Sequence, residues 1–151
     1  MWTLRLSLIG LALALAGCGE PAPTAADLRS RTITLPGGQK IKAEMLVHQT
    51  DIVTGARYRD SIPPDRGLLF MYATPGYYMY WMYRVKIPLD MIWMDSSRRI
   101  VEIKENAPPC PATSDQRCPT YGGKQRSQFV LEMAAGMVSR YHLQVGQQLD
   151  F

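Results

Sequence analysis

Residues 77–95 read YYMYWMYRVKIPLDMIWMD, and the way this stretch is divided decides the fold. Four tyrosines, two tryptophans and four methionines fall in nineteen positions, so it is either a methionine-and-aromatic ligand site or the inside of a small β-protein. Pro88 separates two strand-length segments. In the first, alternation puts Met79, Trp81 and Tyr83 on one face and Tyr80, Met82 and Arg84 on the other. In the second, Leu89, Met91 and Trp93 oppose Asp90, Ile92 and Met94. Both faces are mostly apolar, as in strands covered on each side, and methionine fills irregular gaps between rings. Packing is the reading adopted, with Trp81, Met82, Trp93 and Met94 expected in the core. Tyr77 and Tyr78 follow a Thr74-Pro75-Gly76 turn and are candidates for stacking on a ligand, carbohydrate included. Thioether binding of Cu(I) suits soft ligands, but no Met-x-Met or His-x-Met cluster occurs and no metal site is expected.

Working outward, turn signals space further strands on both sides. Pro36-Gly37-Gly38 joins a strand ending in TITL to KIKAEMLVH, where Ile41, Ala43, Met45 and Val47 should face the core. A short helix capped by Thr50 should run to about Tyr58, with Gly55 weakening it. Strands are expected over 68–73, 77–85, 89–95, 100–106 and 127–133, with a tight turn at Asp95-Ser96-Ser97-Arg98. A second short helix over 135–141 and a last strand, QQLDF, close the chain. Many short strands with two short helices indicate one compact, mainly β domain of sandwich or barrel type over 31–151.

Upstream lies a different kind of sequence. Residues 6–16 are an apolar run behind Arg5, too short to span a bilayer as a helix. The run ends in Leu15-Ala16-Gly17-Cys18, which resembles a bacterial lipobox. That resemblance implies a signal peptide over 1–17 and lipidation of Cys18, with 18–30 as a flexible tether. It further implies a lipid-anchored envelope protein on the periplasmic side, and Gly19 rather than Asp after the cysteine favours the outer membrane in a diderm host. Two cysteines then remain, Cys110 and Cys118, and in an oxidising compartment they should form a disulfide. The net charge of +4 is scattered, Arg98-Arg99 being the only adjacent basic pair, so no nucleic-acid partner is expected.

Catalytic motifs are thin: no Gly-x-Ser-x-Gly, His-Glu-x-x-His or phosphate-cradling glycine loop occurs. Asp90, Glu102, Glu105 and Glu132 are the carboxylates that could form a pair. Glu102 reads as a solvated strand position and Glu132 as a residue beside a helix start. Asp90 stands between Leu89 and Met91, so it needs a buried partner, for which Arg84 and Lys86 are the candidates.

DRGLLF (65–70), YWM with IPLDMIWMD (80–95), IVEIKENAPPC (100–110), CPTYG (118–122) and VLEMAAG with VGQ (130–147) resemble the bacterial and archaeal family called domain of unknown function 192. The resemblance covers about 45–151 and implies a compact β-rich domain, with no established activity and no cofactor. Where the family reads Phe-Trp-Met-Lys-Asn-Thr, this chain has Tyr80-Trp81-Met82-Tyr83-Arg84-Val85. Its Gly-Leu-Met is Gly55-Ala56-Arg57 here, and His142 stands where a helix-ending glycine is usual. The function expected is a non-enzymatic envelope module binding a protein or small ligand, with Tyr77, Tyr78, Arg84 and Asp90 as candidate binding residues. The alternative is a hydrolase or transferase with a carboxylate-based site. A pocket gathering several ionisable groups of perturbed pKa would favour that alternative.

Overall fold

The computed structural model describes residues 28–111, 113 and 117–151. The segments expected to be a signal peptide and a tether, with Cys18, lie outside the described residues except for the last few tether positions. Eight strands form two sheets: β1 (Ser30–Thr34), β2 (Lys40–Leu46), β3 (Arg66–Gly76), β4 (Met79–Trp81), β5 (Leu89–Met94), β6 (Ile100–Ala107), β7 (Thr120–Gly122) and β8 (Ser127–Ala134). Two short helices, α1 (Gln49–Thr54) and α2 (Met137–Arg140), complete the described elements. The large sheet runs β1-β2-β3-β8-β5-β6, and β4 pairs with β7 in a small second sheet. The domain is mainly β and sandwich-like; the described strands do not close into a barrel.

Alternation along β5 explains the layering. Every residue of β5 is buried, because it lies between β8 and β6 with both faces covered. Leu89, Met91 and Trp93 join one core with Phe70, Met82, Val85 and Val130. Ile92 and Met94 join the other, with Ile33, Ile41, Leu131, Val138 and Leu149. The methionines of 77–95 are therefore dispersed: Met79 on the surface, Met82 and Met91 in one core, Met94 across the sheet. Among the named strands only β2 and β3 pair in parallel, and α1 lies in the crossover between them.

Several local expectations need correction. The turn at Pro36 joins β1 and β2 as an antiparallel hairpin, but Val47 is exposed and Leu46 buried. The strand ends at Leu46, whose face is covered by the core on the α1 side. The helix begins after His48, whose extended backbone accepts at its carbonyl from Asp51 and Ile52, so Thr50 lies inside it rather than capping it. It stops at Gly55, which adopts φ 48°. The stretch 74–76, read as a turn, continues β3 past a register shift. Trp81 is 41 % exposed, not core, because β4 is only three residues long and belongs to the small outer sheet. The 107–126 segment is no bare loop, since it contains β7. QQLDF contributes only single bridges, Arg99 with Gln148 and Thr34 with Asp150.

The C-terminal half of the helix reading holds. Leu143 N–H donates to Val138 O and His142 N–H to Ser139 O, closing α2 with the two paired bonds of a left-handed stop. His142 takes φ 53° there, and Leu143 and Val138 sit in the same core.

Candidate functional site

α1 and the residues that follow it, β3, β4 and Glu132 of β8 line a partly open cavity of about 180 Å³ on the α1 side of the large sheet. Ile52, Gly55, Ala56, Phe70 and Val85 supply apolar walls, and Met79 and Trp81 reach it from β4. Its polar side chains are Thr54, Arg57, Tyr72, Tyr80 and Glu132. The Thr54 hydroxyl is already donated to Thr50 O at 2.8 Å.

Glu132 is the anomaly of this site. It lies in the middle of β8, opposite Leu68 on one side and Met91 on the other, and is 4 % exposed. Its Oε2 is buried without a hydrogen-bond partner among the described residues. Burial pushes its pKa up to about 8, against a smaller lowering by the Arg59 guanidinium. Arg59 cannot do more because its charge is shared with Glu44, 2.8 Å away. The expectation that Glu132 is solvated or capping is thus wrong: β8 continues to Ala134 and α2 starts only at Met137.

The two tyrosines share one hydrogen bond, 2.8 Å between hydroxyls. Burial raises both pKa values, Tyr80 well above the usual phenol range, so both stay protonated. The Tyr80 ring meets Phe70 and Trp93 edge-on at 5.0 and 5.8 Å, which fixes it beneath β4. Tyr72 is stacked against Tyr78 at 3.5 Å. At the mouth, the Arg57 guanidinium stands 5.7 Å from the Trp81 and Tyr83 rings. Beside it, Tyr58 and Arg84 both adopt positive φ, 67° and 62°, and clasp each other. Tyr58 N–H donates to Arg84 O at 3.3 Å and the Arg84 guanidinium to the Tyr58 hydroxyl at 2.8 Å. Two side-chain-bearing residues held in this region store strain at the cavity's edge.

The small sheet is pinned over the core from both ends. Cys110 and Cys118 are joined by a disulfide, and Cys110 N–H donates to Met82 O. Gly122, at φ 76°, lies flat on Trp93; a Cβ there would come within 2.1 Å of the indole. Trp93 Nε1 donates to Tyr78 O at 2.8 Å, tying β5 to the start of β4.

The candidate residues from sequence do not converge. Tyr77 is 63 % exposed on the surface, and Tyr78 is half-buried, its ring stacked and its hydroxyl donated to Thr74 O at 2.6 Å. Arg84 belongs to the clasp. Asp90 is fully buried on the opposite face from the cavity, and its partners are backbone amides rather than Arg84 or Lys86. Oδ1 accepts from Asn106 N–H, where β6 bulges, and Oδ2 from Val138 N–H in the first turn of α2, each at 2.8 Å. That helix has no side-chain cap of its own, so Asp90 caps it from across the fold. Lys86 pairs with Asp60 instead. Glu102 accepts from Lys124 N–H outside the site.

The sequence profile of the family described as "Uncharacterized ACR", DUF192, matches residues 32–151. The chain belongs to the DUF192 family. Among solved structures, a protein from Sinorhizobium meliloti 1021, provisionally described as a transcription regulator, superposes with a TM-score of 0.69 at 29 % identity. That match covers 79 % of this chain and 89 % of the other. A protein of unknown function from Novosphingobium aromaticivorans DSM 12444 gives 0.72 at 22 % identity over 94 % and 100 %, which shows the shared fold. No curated protein matches.

Proposed function

We propose that this DUF192 protein is a non-enzymatic binding module, held in the cell envelope by a lipid on Cys18, that takes a small ligand in the cavity over Glu132. The observation that carries the binding reading is the buried Glu132 carboxyl with an unsatisfied oxygen at a cavity. An unpaired buried polar group costs about 1–3 kcal/mol, and a ligand that satisfies it recovers part of that. Strain in the Tyr58–Arg84 clasp beside the mouth fits the same reading. The anchor rests on the Leu15-Ala16-Gly17-Cys18 pattern alone.

The gathering of Glu132, Tyr72 and Tyr80, all with raised pKa, gives the hydrolase or transferase reading its one specific support. All three shifts hold the proton on the group, which makes a set of donors. Among the described residues no serine, cysteine, histidine or second carboxylate lines the cavity, and the Thr54 hydroxyl there is donated to Thr50 O with no base beside it, so neither an activated nucleophile nor a carboxylate pair is in place. Binding is the better account.

A thermal-shift screen of small molecules, followed by amide chemical-shift mapping of each hit, tests the binding reading. Hits should perturb Arg57, Tyr80 and Glu132 together. Hits that all map elsewhere sink it. The anchor is tested separately: Cys18→Ser should leave the membrane fraction, and retention after a high-salt wash would contradict it.

A further inference from the structure

Resting on the reading of this cavity as a ligand site, we infer that its ligand is a small uncharged molecule bound through a carbonyl oxygen, which accepts a hydrogen bond from the Glu132 carboxyl.

Three features of the site select that chemistry. First, the polar groups facing it are donors. One phenol of the Tyr72–Tyr80 pair donates to the other, which leaves the second phenol's proton available. Glu132 Oε2 has no partner to receive a proton from or give one to among the described residues. Second, the depth of the site excludes an anion. Burial there keeps even the protein's own carboxyl from staying charged at neutral pH, despite Arg59 nearby. A ligand carboxylate would meet the same desolvation. Third, the charges around it disfavour a cation. Arg57 lines the mouth and Arg59 acts on Glu132 from the α1–β3 connection, so an entering ammonium meets two like charges. Arg57 also already occupies the ring faces of Trp81 and Tyr83 that a ligand cation would seek. The remaining lining, Ile52, Phe70, Val85 and Met79, suits a compact apolar or planar body behind the carbonyl. An amide, lactam or ketone with one small ring fits about 180 Å³.

Four probes with one ring and different heads decide the matter: benzamide, benzoate, benzylamine and toluene. Each is titrated into the protein by NMR near pH 6.5 and near pH 9.5, reading the Arg57, Tyr80 and Glu132 amides. Benzamide should bind at least about tenfold more tightly than the other three at the lower pH, the scale of one well-made buried hydrogen bond. At the higher pH only about 3 % of Glu132 keeps its proton, so benzamide affinity should fall roughly 30-fold. Tyr72 and Tyr80 hold their protons over most of that range because burial raises them. Glu132→Gln retains a donor and should keep benzamide binding while losing the pH dependence; Glu132→Leu should lose binding. Toluene binding as well as benzamide would leave the cavity a site and overturn the carbonyl. Benzylamine binding best, and better as pH rises, would make it an ammonium site. Benzoate binding best would overturn the exclusion of anions. If no probe moves the three amides, the ligand-site reading itself fails for molecules of this size.

Discussion

Glu132→Gln replaces a buried carboxyl with a group of the same shape that does not titrate, and its effect on stability follows from the site. Burial moves the carboxyl from 4.5 to about 8. At about 1.36 kcal/mol per unit this is roughly 5 kcal/mol of preference for the protonated form. Between those two values the native state keeps a proton that the unfolded chain has released. Unfolding therefore becomes easier as pH rises through that window, and the loss levels off above about pH 8. Integrated from about pH 5 to about pH 9, wild type should lose roughly 4 kcal/mol relative to the glutamine variant. Urea unfolding followed by tryptophan fluorescence at stepped pH reads the difference directly. Other titrating groups are common to both proteins and cancel. Two stability curves that run parallel across the window would refute the argument, because Glu132 would then have an ordinary pKa in both states.

Asp90→Ala removes the fully buried acceptor of two backbone amides, one buried and one part-buried, and should cost about 3 kcal/mol, measured by the same unfolding assay, with Asp90→Asn milder. Trp93→Ala should cost about 3–5 kcal/mol, whereas Trp81→Ala at the exposed mouth should change stability little while weakening any ligand of the cavity. Reducing the Cys110–Cys118 bridge should cost about 2.5 kcal/mol on the loop-entropy account, with peptide mapping of the unreduced protein confirming the link.

Sequence made the layering legible where strands are covered on both faces. The alternation in β5 assigns Leu89, Met91 and Trp93 to one core and Ile92 and Met94 to the other before any coordinates are needed. It failed at β4, because a period-two pattern does not say whether a strand sits in a central sheet or in an outer flap. The tight packing of Gly122 on Trp93 is what places that flap, and it is a contact between distant residues. Glu132 was missed for a different reason. Its strand, SQFVLEMA, carries a single charged residue between Leu131 and Met133, and a strand apolar on both faces makes such a charge a buried one. That signal is in the sequence, but a helix expected from residue 135 makes the same glutamate read as a residue at a helix start, whereas the helix begins only at Met137. Asp90 showed itself as buried, yet its partners are main-chain amides brought by a bulge and by a helix end, which side-chain bookkeeping does not reveal.

The central claim is that Glu132 holds its proton at neutral pH beside a cavity, ready to donate it in a hydrogen bond. Titrating the side-chain carboxyl carbon of Glu132 by carbon-13 NMR in the ligand-free protein tests this most directly. A single step with its midpoint near 8 is the predicted result. A midpoint close to 4.5 would contradict it, since the carboxylate would then be charged and satisfied in the native fold.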